Sequence, residues 1–173
     1  MENRRQSHIA VCSGSFDPVT IGHIDIITRA SRMFDELVVC VFHNVHKQAF
    51  FSLEERKEFL RQATASLPNV RVDAFSGLLT EDMDQVGAHI IVRGVRSVRD
   101  LEYEQNEAHM LHHLDPSLET VFLLTSPAYS FISSSGIREL MMFHGEVHGL
   151  VPTCVEEAVK ARISADQQQS PLR

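Results

Sequence analysis

One histidine lies in a setting that suits phosphate chemistry. His23 ends the string Gly14-Ser-Phe-Asp-Pro-Val-Thr-Ile-Gly-His23, which follows an apolar run at residues 9–12 and precedes an amphipathic run at residues 24–34. This order predicts a buried strand, a turn and a helix with one apolar stripe. Backbone N–H groups at a helix start lack internal partners and can bind an anion. We therefore predict a phosphate site that contains an imidazole.

Two arginines form a second candidate. Arg93 and Arg96 directly follow the apolar run at residues 89–92. A planar guanidinium can donate two parallel hydrogen bonds to a phosphate, so arginine suits this ligand. The alternative is an ion-pair cluster with the acidic side chains that come next, which are Asp100, Glu102 and Glu104. We expect Arg99 to pair with Asp100, and Arg93 and Arg96 to bind ligand.

Two loops supply further candidates. Lys47 follows the strand-like run at residues 37–42; a lone loop lysine is usually solvated, and only its place at a strand end favours a role. Residues 130–135, Ser-Phe-Ile-Ser-Ser-Ser, precede a helix-like run. These serines could be helix caps. Three in a row exceed what capping needs, so hydroxyl and N–H groups together predict a second phosphate cradle.

The histidines and cysteines elsewhere predict no metal site. His109 and His113 are four residues apart and would share a helix face with His112 nearby, but no third ligand is assured. Packed or solvated histidines are the expected outcome. The three cysteines are odd in number and lack metal-ligand spacing. Cys12 and Cys40 fall within buried runs, as expected of free thiols in a reducing compartment.

Length and charge narrow the class of protein. The chain has 173 residues, 43% of them hydrophobic, which suits one domain at residues 1–163 followed by a frayed polar tail at residues 164–173. A formal charge of −7 argues against a broad nucleic-acid face. The polar start has no signal-like stretch, and no apolar run approaches the roughly 20 residues that cross a bilayer. We expect a cytoplasmic protein that binds neither nucleic acid nor membrane.

Strand-like and helix-like runs alternate along the chain. The five strand-like runs fall at residues 9–12, 37–42, 70–75, 89–92 and 120–124, and capping boxes are expected at Ser52/Glu55 and Thr153/Glu156. This predicts an α/β, Rossmann-like, doubly wound five-stranded parallel sheet with helices on both faces. Ligands bind such sheets beyond the carboxyl ends of the strands, where strand order reverses. The candidates for phosphate binding all follow predicted strands: Ser15, His23, Lys47, Arg93, Arg96 and Ser133 to Ser135.

Several strings also carry a family resemblance. Thr20-Ile-Gly-His23 resembles the T/HxGH signature of the nucleotidylyltransferases. The wider string from Gly14, the run from Arg93 to Glu104 and the serine segment are similar to those of the phosphopantetheine adenylyltransferase family. Phe51-Ser-Leu-Glu-Glu-Arg56 also resembles that family, and Lys47 precedes it at the family's spacing. The flanking His46 and Gln48-Ala49 depart from the commoner form, which contains Lys and Pro.

The resemblance implies a reaction and a role for each matching residue. This family transfers AMP from ATP to 4′-phosphopantetheine, giving dephospho-coenzyme A and pyrophosphate, the penultimate step of coenzyme A biosynthesis. His23 would stabilise the transition state at the α-phosphate, Ser15 and Lys47 would orient the attacking phosphate, and Arg96 would complete the catalytic set. The ATP site would comprise Ser15, Phe16, His23, Gly94, Val95, Arg96, Glu104, Tyr129, Ser130, Phe131, Ile132, Ser133, Ser134 and Ser135. The phosphopantetheine side would comprise Ser15, Lys47, Leu79 and Arg93.

The same resemblance implies Mg²⁺ arriving with ATP, a homo-oligomer (commonly a hexamer) and feedback binding of coenzyme A. One alternative is another adenylyl- or cytidylyltransferase of this fold, acting on nicotinate mononucleotide or an alcohol phosphate. A second is a non-catalytic nucleotide-binding module, which would not need a transition-state donor such as His23. A third, an RNA-binding relative of synthetases, conflicts with the small size and acidic charge.

Overall fold

Strands and helices alternate in the computed structural model, which describes residues 8–42 and 49–169. The strands are β1 (Ile9–Gly14), β2 (Glu36–Phe42), β3 (Val70–Phe75), β4 (Ile90–Val95) and β5 (Glu119–Leu124). The helices are α1 (Ile21–Ser31), α2 (Leu53–Ala63), α3 (Leu79–Val86), α4 (Val98–Leu114), α5 (Ser134–Met142) and α6 (Thr153–Gln169), with a 3-10 turn at Pro127–Tyr129.

The five strands form one parallel sheet in the order β3-β2-β1-β4-β5. This confirms the predicted Rossmann-like α/β fold. The order of strands reverses between β1 and β4, where Val11 pairs with Ile91. Beyond these two strand ends a crevice opens, because the connections that follow them leave toward opposite faces of the sheet. Among the described residues, no helix is long and apolar enough to cross a membrane.

Alternation along each strand sends side chains into two separate cores. Ala10, Cys12, Val39 and Val92 belong to the larger core, which α1, α2, α5 and α6 cover. On the other face, Val11, Cys40 and Ile91 join α3 residues in a smaller core, with Leu111 of α4 packed against it. The central strands are apolar on both faces because both are covered.

Strand β4 is longer than predicted. Its pairing with β5 continues through Arg93, Gly94 and Val95, which lie beyond the predicted strand at residues 89–92. The backbone ladder outweighs the low strand preference of glycine here. Gly94 also allows α1 to pack tightly, since a Cβ at this position would lie 2.9 Å from a side-chain carbon of Ile26.

Helix boundaries test the two predicted capping boxes. The first is confirmed: Glu55 N–H donates to Ser52 Oγ, and Ser52 N–H donates to the Glu55 carboxylate. The second is wrong. Helix α6 already begins at Thr153, and the Glu156 carboxylate contacts His148 and Lys160 instead. A Thr and a Glu three residues apart satisfy the capping-box pattern, but the pattern does not show whether the carboxylate will bind the helix start or another side chain.

The two thiols in the central strands are buried, as predicted. Burial raises the pKa of Cys12 to about 11 and that of Cys40 to about 12. In Cys40 the nearby carboxylates of Asp73 and Asp82 add to this effect. Both groups therefore remain protonated thiols near neutral pH and serve as packing side chains.

We expect Cys40→Ser to lower the free energy of unfolding by about 1–3 kcal/mol, because a hydroxyl is buried in an apolar core. Cys40→Ala is the matched control, since it removes the sulfur without adding a polar group. Urea unfolding curves give both values, and each folded variant should retain wild-type activity. Loss of turnover without loss of stability would contradict the assignment of Cys40 to the core.

Candidate active site

A cavity of about 370 Å³ opens at the carboxyl edge of the sheet, beside the ends of β1 and β4. Most predicted site residues lie in its walls: Ser15, Phe16, His23, Arg93, Gly94, Arg96, Glu104, Ile132, Ser133, Ser134 and Ser135. These residues come from four separate stretches of the chain. The topology therefore brings together what the motifs predicted as one site.

Other predicted residues lie outside the cavity wall. The side chains of Val95 and Leu79 are buried, and Leu79 belongs to the smaller core as the first residue of α3. Tyr129 and Ser130 lie in the 3-10 turn and its cap, and the neighbouring Phe131 is 74% exposed. Lys47 lies outside the described residues.

The His23 imidazole is oriented by reciprocal hydrogen bonds with Thr20. Thr20 N–H donates to His23 Nδ1 over 3.0 Å, and His23 N–H donates to Thr20 Oγ1 over 3.3 Å. This is a capping box with histidine in the place usually taken by a glutamate. Because Nδ1 accepts a hydrogen bond from the backbone, the proton of the neutral imidazole resides on Nε2.

The same imidazole is neutral at physiological pH. Burial and, to a smaller extent, the charge of the Arg96 guanidinium together lower the pKa of His23 to about 4. The Phe16 ring packs edge-on against the imidazole with ring centroids 5.2 Å apart. Phe16 itself has a φ of 44°, a strained value that a non-glycine residue adopts where the surrounding structure demands it. His23 can therefore donate a hydrogen bond from Nε2 without carrying charge.

The start of α1 is less open to an anion than predicted. Ile21 N–H donates to Leu150 O, and His23 N–H is taken by Thr20. Two of the first three helical N–H groups thus have protein acceptors. A phosphate at this position must rely more on side chains than the strand–turn–helix pattern suggested.

Asp17, which was not predicted as a site residue, stabilises the turn between β1 and α1. Its buried carboxylate accepts hydrogen bonds from Phe50 N–H at 2.8 Å and Phe51 N–H at 2.9 Å. The turn between β1 and α1 is thereby joined to the segment that follows β2. Asp17 lies within the Gly14–His23 string, but its hydrogen-bond partners are 33 and 34 residues further along the chain.

Two arginines add to this support, and neither was predicted. Arg56 Nη1 donates to Ser15 O at 2.8 Å, and the residue is only 2% exposed. Arg138 Nη1 donates to Asp17 O at 2.6 Å, and Arg138 also lines the cavity. Arg138 is thus a candidate phosphate ligand. Its position one turn into α5, directly after the serine segment, is the sequence feature from which this role could have been predicted.

The two predicted arginines are each paired with carboxylates. Arg96 Nε donates to Asp100 at 2.7 Å, and its Nη1 donates to Ile132 O. The expected Arg99–Asp100 pair is therefore wrong, because Arg96 and Asp100 lie one helical turn apart with matched geometry. Arg93 contacts Glu104, one of the partners considered above. The walls hold three arginines, Arg93, Arg96 and Arg138, against two carboxylates, Asp100 and Glu104.

The serine segment combines capping with a role in the cavity. Ser133 Oγ caps α5 by accepting from Gly136 N–H, and Ser134 Oγ donates to Pro18 O at 2.9 Å. Ser135 Oγ lies 3.2 Å from Ser133 Oγ. The N–H groups of Ser134 and Ser135 stand in the first turn, where no carbonyl precedes them within the helix. The site therefore retains an anion-binding helix start at α5.

The described residues contain no cluster of three or more His, Cys, Asp or Glu side chains that could hold a metal ion. The carboxylates lining the cavity are Asp100 and Glu104, and each contacts an arginine. Burial raises the pKa of Glu104, while Arg93 opposes that shift. A magnesium ion here would depend on substrate phosphates for most of its ligands.

We expect the His23 ring signal in NMR spectra to stay constant from about pH 8 down to about pH 5, and to shift only near its pKa of about 4. An ordinary histidine titrates near pH 6.5. The spectrum of His23→Gln assigns the signal. Titration of His23 between pH 6 and 7 would show that the imidazole is not desolvated in solution.

Comparison with known proteins agrees with this geometry. A crystal structure of a Vibrio parahaemolyticus protein assigned as a nicotinate-nucleotide adenylyltransferase superposes with a TM-score of 0.63. The match covers 89% of this chain and 99% of that one at 16% sequence identity, and so shows a shared fold. The cytidylyltransferase-like family model matches residues 11–140, which run from β1 into α5 and include every residue of the cavity wall. The chain therefore belongs to the cytidylyltransferase-like family.

Proposed function

We propose that this nucleotidyltransferase transfers AMP from ATP to 4′-phosphopantetheine. A phosphate oxygen of the acceptor attacks the α-phosphorus of ATP, a new P–O bond forms, and the bond to the bridging oxygen of pyrophosphate breaks. No covalent enzyme intermediate is required. Because both reactants are anions, the protein must bind, align and screen them. The observation that carries the proposal is the Nε2–H tautomer of His23 in a cavity lined by Arg96 and Arg138.

His23 acts as a neutral donor to a non-bridging oxygen of the α-phosphate. Charge builds on these oxygens as the acceptor attacks, so the hydrogen bond strengthens in the transition state. The capping box with Thr20 holds the imidazole in position before substrate arrives. A preorganised donor of this kind costs no reorganisation during the reaction.

The ATP phosphates are held on the α5 side of the cavity. Arg96, Arg138 and the first-turn N–H groups of Ser134 and Ser135 supply donors there. Arg138 was not among the ATP-binding residues predicted from the sequence, and we add it because it lines the cavity. The adenosine end would lie toward the half-buried Tyr129 and the exposed Ser130 and Phe131, which precede the serines.

The acceptor phosphate lies near Ser15 and Lys47 in this proposal. Ser15 lines the cavity, and its carbonyl is held by Arg56. The assignment of Lys47 and of the Leu79 backbone rests on the family resemblance alone. Arg93 lies on the α4 side, where the remainder of the acceptor would extend.

Magnesium accompanies the triphosphate in this proposal and screens its charge. When bound, it would polarise the phosphate oxygens. This chain's arginines and serines orient the same phosphates. Both oxygens of the cavity carboxylate Asp100 accept hydrogen bonds from Arg96, so the phosphates and water would supply most ligands of the ion.

We also propose a homo-oligomer, with coenzyme A as a feedback ligand and the cytoplasm as the location. Family resemblance supports all three, and a hexamer is the expected assembly. Helix α4 adds support for self-association: none of its 17 residues is buried. Met110 and Leu114, one turn apart near the C-terminal end of α4, are each more than half exposed, as in helices that pack against a partner.

We expect ATP with 4′-phosphopantetheine to release pyrophosphate far faster than ATP with nicotinate mononucleotide or glycerol phosphate. The reason is that all the matching strings in this chain correspond to one acceptor class. A coupled pyrophosphate assay with the three acceptors measures this directly. Robust turnover of nicotinate mononucleotide without turnover of phosphopantetheine would overturn the proposal, and absence of turnover with all three would favour a binding module.

We expect His23→Ala to lower kcat by roughly 10²–10³ while ATP binding stays nearly unchanged, because its hydrogen bond matters mainly in the transition state. Isothermal calorimetry with ATP, beside steady-state kinetics, measures the two effects. Lys47→Ala is the comparison variant and should weaken acceptor binding as well as rate, because a ground-state phosphate already needs that charge. Abolished ATP binding or a near-normal kcat in His23→Ala would mean that His23 is not the transition-state donor.

A further inference from the structure

The Arg93 guanidinium has a protein partner at each of its three nitrogens. Nη1 donates to Ser13 O at 2.9 Å, and Nη2 lies 3.3 Å from Glu107 Oε2. Nε lies 3.3 Å from Glu104 Oε2, which it contacts as an ion pair without hydrogen-bond alignment. One positive charge is therefore balanced by two carboxylates.

This cluster lies on a different side of the site from His23. Ile91, two residues before Arg93 on β4, points into the core beneath α3 and α4, so Arg93 faces α4 as well. His23 belongs to α1, on the opposite face of the sheet. A substrate that spans from His23 past Arg93 must cross the carboxyl edge of the sheet.

Glu107 is the most exposed member of the cluster, and it lies beside the cavity wall that Arg93 and Glu104 help to form. The Arg93 side chain is 15% exposed and that of Glu104 is 22% exposed, whereas that of Glu107 is 40% exposed. Its carboxylate is held toward the site by Arg93. The surface next to Arg93 is thus negative overall, and its exposed edge offers acceptor oxygens.

Such an edge discriminates between acceptor chemistries. An amide N–H or hydroxyl can donate a hydrogen bond to a carboxylate, while a second carboxylate would be repelled and would lose hydration. The phosphate of an acceptor has other partners on the His23 side. Glu107 would therefore select for the end of the acceptor that is distant from its phosphate. That end must be uncharged and must carry hydrogen-bond donors.

We propose that Glu107 determines acceptor specificity, favouring a neutral amide-bearing arm over one that ends in a carboxylate. This rests on the proposed function, in which the acceptor is 4′-phosphopantetheine. A matched pair of acceptors isolates the effect: 4′-phosphopantothenate shares the phosphate and the pantoyl group but ends in a carboxylate where phosphopantetheine continues through an amide.

The test compares kcat/KM for the two acceptors in wild type and in Glu107→Gln. Glutamine keeps an oxygen to accept from Arg93 and removes the charge, so Arg93 should stay in place. We expect the preference for phosphopantetheine to fall about tenfold, mainly through a lower KM for phosphopantothenate, as one like-charge contact is removed. Glu107→Asp keeps the charge and should keep a preference within about twofold of wild type.

Glu102→Gln is the control, because it removes the same charge from an exposed position on the same helix. It should leave the preference unchanged, which excludes a general charge effect. An unchanged preference in Glu107→Gln, or an equal fall with both acceptors, would overturn the role in specificity. Wild-type enzyme that adenylylates nicotinate mononucleotide but not phosphopantetheine would instead overturn the proposed function, and this inference with it.

Discussion

The Asp17 carboxylate is the constraint on which the site depends. A buried carboxylate is stable only when its oxygens are hydrogen-bonded, and here both accept backbone N–H groups from the segment after β2. On its other side, the carbonyls of Asp17 and Pro18 accept from Arg138 and Ser134 of α5. One turn of backbone therefore joins the ends of two strands to the start of a helix.

That bracing explains how a short loop can hold a catalytic geometry. The loop has one strained residue, Phe16, whose ring lies against the imidazole of His23. Loops of this size move when their backbone groups face solvent. Here Arg56 binds the carbonyl of Ser15, and the Thr20–His23 capping box orders the end of the loop. The imidazole is thus positioned by backbone contacts that do not depend on a bound substrate.

Charge balance is the second organising feature of the cavity. A polyanionic substrate favours arginines, yet the cavity also holds carboxylates that occupy two of them. Arg96 contacts one carboxylate, through Nε and Nη2, and the carbonyl of Ile132 through Nη1, whereas Arg138 is engaged through Nη1 with a neutral carbonyl. Arginines that are already oriented lose less freedom on binding, although a phosphate must then compete with their present partners. The positive potential in the cavity is therefore concentrated on the α5 side and weak beside α4.

Much of the fold could be predicted, because the apolar runs and their spacing are local properties. The strand before Gly14, the capping box at Ser52 and the parallel sheet all follow from short-range patterns. The errors occurred where a local pattern had competing outcomes. Pairing with β5 extended β4 through Gly94, and Asp100 bonded to Arg96 instead of its sequence neighbour Arg99.

The sequence by itself determined the alternation of elements, the position of His23 at a helix start and the placement of most polar candidates after strands. Only the tertiary structure decided which groups those candidates contact. It placed Asp17 against Phe50 and Phe51, added Arg138 to the cavity and surrounded Arg93 with Glu104 and Glu107. The physical reason is that a hydrogen bond or an ion pair depends on distances of a few ångströms between segments far apart in the chain. Hydrophobic periodicity specifies which face of an element is buried, but not which polar atom lies opposite.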